Sequence, residues 1–501
     1  MTQSAEPYAS LVSSISQDEL TAQSITQEEN DRFSKHHPLL NLLILSIGPL
    51  LTTIGMSVLD SIDLMIISNR FKNDPNSYAV QIIGLGFFIQ QICMDIGMFL
   101  QQSIMVRVSS LIGEGRRDEA CQLTVDIYRI SVLINTFSTI IITLIARLIM
   151  IFAGCTPDLI EQCMLLVISL IAGLPFSTLF HIGTGFLQAI GKAVMNGILH
   201  LIANCLQTFA ITPFLQYVVK IDVTLSNISQ PIAQSIVGMF VLIMIFKGKY
   251  SLKPNYKMLF NPFTKETGKS LLMSLPIIPT FIFGILPSSL ILRYMTSASA
   301  SDELKTDVIG VYTVLQKIFL IGMALPMALS IGCLTAATHS MAQRNYKRML
   351  ITLGWALLII FIFFAIFVPL MIVRPIIFMK LFGISSQSQL EIAKKMVPIP
   401  LYTFAVGNMC MFFVNFFVAV GKPFYSTLNS LVQLISICVS SKLLSLKFPN
   451  DPTKIMFSYT ISDLITVVLT TTLLTITLIP LVKKSKNPEE KLLSPKSNFV
   501  H

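Results

Sequence analysis

Long apolar stretches govern what this chain can become. From Leu39 onward twelve of them follow one another, over 39–68, 80–111, 124–153, 160–188, 193–217, 227–246, 270–296, 307–338, 348–378, 396–419, 424–446 and 455–482. About 20 apolar residues in a helix cross a bilayer core, and a helix satisfies its own backbone in lipid. All twelve are therefore predicted helices. With 53% hydrophobic and only 12% charged residues in 501, a soluble domain would lack polar surface. The expected fold is an all-α polytopic membrane protein with twelve transmembrane helices.

The net charge of +10 does not point to nucleic acid, because the excess sits in short loops beside apolar runs, as topology signals do. Loops after even-numbered runs carry Arg116 and Arg117, Lys192, the series Lys247 to Lys269, Arg344 with Lys347 and Arg348, and Lys422. Loops after odd-numbered runs carry Asp74, Asp158, Asp222, Asp302, Glu391 and Asp451. Both termini are thus expected in the cytosol, in the plasma membrane or an internal organelle membrane. Residues 1–38 and 483–501 are expected as cytosolic tails, the first disordered. The eight cysteines show no metal-ligand spacing and read as small buried hydrophobes.

The first run also carries Asp60 and Asp63. A charge at that depth costs roughly 2.5 kcal/mol or more and usually faces a bundle interior or a watery cavity. Three residues apart on a helix, the two carboxylates share a face. They can hold one proton or one cation between them, or one of them can cap the helix or pair with a base.

Internal comparison divides the twelve runs into two sets of six. Gln90 answers to Gln316 (316 − 90 = 226), Pro49 to Pro276 (276 − 49 = 227), Gly154 to Gly383 (383 − 154 = 229) and Lys192 to Lys422 (422 − 192 = 230). Six is even, so both halves insert the same way, as parallel repeats. The expected division is an N-lobe over 39–246, a basic cytosolic linker over 247–269 and a C-lobe over 270–482.

The order of features resembles the multidrug and toxic compound extrusion (MATE) family, of the multidrug/oligosaccharidyl-lipid/polysaccharide exporter superfamily. The Pro-bearing first run ends in an Asp-containing stretch. Ser110 to Gly115 forms a Ser-x-x-Gly-x-Gly turn, and Leu174-Pro175 precedes Ala189-x-Gly-Lys192, with Asn204 beyond. The resemblance implies a V-shaped pair of lobes around a central cavity. It implies a secondary antiporter that exports amphipathic organic compounds, often cationic, against protons or sodium, by alternating access.

By the same resemblance Asp63 and Asn204 fall on the family's first-lobe ion site, with Thr208 in place of a further acid. The carboxylate expected eight residues after Pro276 is Gly284, and the tenth run holds only Asn408 and Asn415. Coupling is therefore expected in the N-lobe, through Asp63, Asp60, Asn204, Thr208 and Asp95, as a proton site or a sodium cage at Asp63 and Asn204. Asp463 falls on Gln234 in the repeat (463 − 234 = 229), and that uncharged counterpart suggests an interhelical hydrogen bond.

Gln90, Gln316, Lys317, Asn408 and Asn415 are candidate cavity residues, although Lys317 can equally pair in the bundle or snorkel. His181 and His200 read as proton relays or as ordinary bundle histidines. No nucleotide-binding or hydrolase motif is present, so no enzyme activity and no cofactor beyond an ion gradient is expected. The expected partners are small organic substrates and the lipid bilayer, with the chain a monomer. A lipid-linked oligosaccharide flippase is the alternative, and a membrane receptor or scaffold a weaker one.

Overall fold

The computed structural model describes residues 36–71, 79–152, 157–250, 252–381 and 386–486. The helices are α1 Pro38–Phe71, α2 Ala79–Gly113, α3 Arg117–Phe152, α4 Pro157–Ala189, α5 Ala193–Leu206, α6 Ser229–Phe246, α7 Lys265–Ser274 and α8 Ile277–Ser297. They continue as α9 Asp302–Ala342, α10 Tyr346–Val373, α11 Pro375–Leu381, α12 Gln387–Met396, α13 Pro398–Ala419, α14 Pro423–Lys447 and α15 Phe457–Lys486. No strand occurs among the described residues. Ten helical segments there are long and apolar enough to cross a membrane, so the chain is a multi-pass membrane protein.

Each of the twelve apolar runs is helical where described, with local departures. The seventh run breaks between α7 and α8, next to Pro276, whereas Pro49 lies inside an unbroken α1. A helix begins at Lys265, inside the stretch read as linker. The last helix runs on through Lys483 and Lys484 to Lys486, residues assigned from sequence to the tail. Lysines suit the final turn because the helix dipole is negative there. The rest of both tails lies outside the described residues.

One turn type recurs at one end of the bundle. After α2, α4, α6 and α13 the chain reverses through Gly115, Gly191, Gly248 and Gly421, all with φ between 69° and 78°, and after α9 through Arg344 with φ 57°. Each turn is closed by a six-residue hydrogen bond, such as Arg116 N–H to Leu111 O at 2.9 Å and Lys422 N–H to Phe417 O at 2.8 Å, as in a Schellman cap. A left-handed residue is needed there, which suits glycine. The described chain begins and ends at this same end. His36 O accepts from Arg348 Nη2 at 2.8 Å, His37 meets Trp355 edge-on, and Lys484 lies over the Tyr346 ring.

Packing repeats between the halves. In the first, α1 packs on α5, α2 on α4 and α4 on α6; in the second, α8 packs on α14, α9 on α13 and α13 on α15. The fold is thus two parallel six-helix repeats. Between them α1 and α2 pack on α9, and Leu42, Met105 and Val106 are embedded in the core of the second lobe. Gln188 Nε2 reaches Thr335 Oγ1 at 3.4 Å across the lobes.

The linker is held by buried charge. Asp126, on α3, accepts from Thr264 N–H at 3.0 Å and Thr267 Oγ1 at 2.8 Å, anchoring the start of α7, where a carboxylate is favoured. Arg107 Nε donates to Glu266 at 2.5 Å, and Glu266 also faces Lys269 at 3.3 Å.

Candidate functional site: a buried carboxylate in the first lobe

The site begins at a crossing of small residues. A Cβ on Gly197 would lie 2.6 Å from the Gly48 Cα, so α1 and α5 touch backbone to backbone, as small residues allow in membranes. Eleven residues further along each helix (48 + 11 = 59, 197 + 11 = 208), Thr208 Oγ1 donates to Leu59 O at 3.4 Å. The crossing therefore sets a parallel register.

That register carries Asp63 against the continuation of α5. Its carboxylate is 8% exposed, and its Oδ2 accepts from Gln207 Nε2 at 3.2 Å. Among the described residues the other oxygen, Oδ1, has no partner of good hydrogen-bond geometry, and neither has the buried Thr212 hydroxyl, which stands beside the carboxylate and is the donor placed to reach it. Gln207–Ile211 and Phe214–Val219 are π-helical. Pro213 explains this, since it offers no N–H and its ring presses on the preceding turn. Such widened turns recur at functional sites.

The predicted first-lobe residues are only partly joined. Asn204 is buried on α5 with its Nδ2 unpartnered among the described residues, Thr208 bonds the α1 backbone as above, and Asp95 is half-buried on α2. The Asp60 side chain and the surroundings of Gly284 lie outside the described residues, as does the Lys317 side chain. Sequence reasoning missed Gln207 and Thr212. The available signal was Pro213 close after a buried polar series.

The candidate cavity residues bond within their own lobes. Gln90 Nε2 donates to Gln230 Oε1 at 2.7 Å, joining α2 to α6. Gln316 Nε2 donates to Tyr459 Oη at 3.0 Å, joining α9 to α15. These clasps are repeat equivalents (316 − 90 = 226, 459 − 230 = 229). Asn415 Nδ2 donates to Ser330 Oγ at 2.9 Å, and Asn408 Nδ2 to Phe404 O in its own helix at 2.8 Å. His181 and His200 are buried with ring centroids 5.9 Å apart; Gln101 contacts His181, and both Nε2 atoms are unpartnered. An indentation of about 350 Å³ between α14 and α15, lined by Ile435, Val439, Leu443 and Ile465, is an outward apolar face suited to lipid.

A family model described as MatE matches residues 50–217, from α1 to the π-helical end of the fifth run. No curated protein matches in sequence. The fold is similar to a multidrug resistance MATE family transporter of the MOP superfamily in an outward-facing conformation, at 14% identity and TM-score 0.77, covering 89% of this chain and 97% of that one. It is similar to a MATE in complex with MaL6, at 15% identity and TM-score 0.77, covering 92% and 99%. A MOP superfamily transporter from Pyrococcus furiosus, for which reverse polarity of the binding pocket suggests a different function, is similar at 15% identity and TM-score 0.78, covering 91% and 98%. Over residues 50–217 the sequence thus resembles the MatE family, and over both lobes the fold is that of MATE transporters.

Proposed function

We propose that the chain is a secondary antiporter that exports amphipathic organic compounds, often cationic, in exchange for protons or sodium. The observation that carries this reading is Asp63, a carboxylate buried in a membrane helix with one oxygen lacking a well-formed hydrogen bond among the described residues. An acid so placed is costly unless it serves an ion pathway. A proton on Oδ1, or a sodium ion shared with neighbouring oxygens, would supply the missing partner.

The lobes meet at the end where the described chain begins and ends, and in this reading that end, which carries the basic loops, faces the cytosol. The arrangement is then closed inward, and binding or release of the ion at Asp63 biases the alternation between inward-open and outward-open forms. Substrate class is supported by the multidrug resistance transporter of like fold. No chemistry on the substrate is required, and the working unit is a monomer driven by an ion gradient.

The test is efflux of a fluorescent organic cation from proteoliposomes under an imposed pH gradient or an imposed sodium gradient. Efflux driven by one of them supports the reading and names the ion; efflux driven by neither contradicts it.

A further inference from the structure

The second lobe holds an acid of its own, and the repeat shows what is unusual about it. In the first lobe Ser177 Oγ, on α4, donates to Gln234 Oε1, on α6, at 2.5 Å. At the equivalent place in the second lobe Thr403 Oγ1, on α13, donates to Asp463 Oδ2, on α15, at 2.8 Å. The offsets agree (403 − 177 = 226, 463 − 234 = 229). The interhelical hydrogen bond expected from sequence is therefore present, but its acceptor is an ionisable group where the first lobe has an amide.

The neighbourhood is built around that carboxylate. A Cβ on Gly407 would come within 2.4 Å of Asp463 Oδ1 and 2.8 Å of Oδ2, so α13 admits the acid only because this position has no side chain. Gln433, on α14, is 2% exposed; its amide approaches Asp463, and among the described residues its Oε1 has no hydrogen-bond partner. A carboxylate can take the amide N–H. A carboxylic acid can instead donate its O–H to Oε1 once the amide turns over. The orphaned acceptor thus has a partner when Asp463 is protonated.

Among the described residues the surrounding groups supply no counter-charge. Among the described residues Cys410 on α13 and Tyr459 on α15 are ionisable side chains close to Asp463, and Tyr459 is bonded in turn to Tyr312 of α9 at 3.1 Å. Lys454, on the turn before α15, pairs with Asp451 at 3.4 Å. On α10, Lys347 and Arg348 stand at the end with the termini, and Arg374, just past its other end, is exposed. Among the described residues no basic group forms an ion pair with Asp463.

We propose that Asp463 is a second proton-binding site, in the lobe opposite Asp63, where Thr403 and Gln433 hold the acid in both protonation states. The proton comes from solvent and returns to it, and only the O–H bond of the carboxyl forms or breaks. The α13–α15 clasp thereby responds to pH, whereas the α4–α6 clasp of Ser177 and Gln234 does not.

The test needs no transport, so it stands or falls separately from the export reading. Infrared difference spectra of purified protein in nanodiscs, between mildly acidic and mildly alkaline buffer, report buried carboxyls through the C=O stretch of the protonated acid. In an Asp63→Asn background a pH-dependent band is expected to persist and to vanish on adding Asp463→Gln, which copies the first lobe. Asp463→Glu should retain the band at a moved position, and serves alone if the Gln variant does not fold. A spectrum unchanged by Asp463→Gln, a band unmoved by Asp463→Glu, or a band that follows sodium at constant pH would overturn the proposal.

Discussion

At the scale of single residues, the burial of Asp63 was legible, because a carboxylate in an apolar run faces the bundle interior or a watery cavity, and on α1 it is buried. Its hydrogen-bond donor was not legible. Family position pointed to Asn204 and Thr208, while the structure gives the bond to Gln207. Glu266 was not legible within a basic linker, yet it is buried against Arg107. Burial pushes its carboxyl up, but the hydrogen bond and charge of Arg107, with Lys269, outweigh that and hold it below the usual glutamate range. A group held low contributes stability above its unfolded range, and that contribution is lost as pH falls through its folded value. Removing one partner of such a pair costs about 3 kcal/mol. Glu266→Gln is expected to lower the thermal unfolding temperature near neutral pH and to flatten its decline in acid; a variant melting like wild type at both pH values would show that the linker contact adds no stability.

At the scale of elements, the helices were legible because lipid leaves few alternatives, whereas their irregularities depended on local chemistry. The π-helical end of the fifth run arises at Pro213, and a regular 3.6-residue period misplaces the residues beside it. Crossing geometry was also hidden, since nothing in the sequence says that Gly48 meets Gly197. Overpacking typically costs 1–3 kcal/mol. Gly197→Ala is expected to destabilise by about 2 kcal/mol and Gly197→Leu to prevent folding, read by thermal unfolding and by monodisperse yield in detergent. Arg344 takes the left-handed role that glycine fills after the other even-numbered helical runs that end in this turn. Since a non-glycine residue there carries a penalty of about 1 kcal/mol, Arg344→Gly is expected to raise stability by about that amount in the same unfolding assay.

At the scale of the whole molecule, the duplication was visible in four spaced matches, and the packing of α1 on α5 and α8 on α14 carries it into three dimensions. The clasps Gln90–Gln230 and Gln316–Tyr459 were half visible: the glutamines match, but their partners differ in kind. The loop charges predict both termini in the cytosol. Tags at the two ends should accordingly be protected from protease in sealed, right-side-out vesicles, and cleavage of either tag would reverse the orientation. The central claim is that the carboxylate of Asp63 couples transport to an ion gradient. Its most direct test is gradient-driven efflux of an organic cation by wild type and Asp63→Asn in matched proteoliposomes, with substrate binding measured in parallel. Binding should survive while gradient-driven efflux falls to the level of protein-free vesicles, because asparagine keeps the size of the side chain but cannot exchange a proton or carry the charge. Unchanged gradient-driven efflux in Asp63→Asn would contradict the account and make this carboxylate structural.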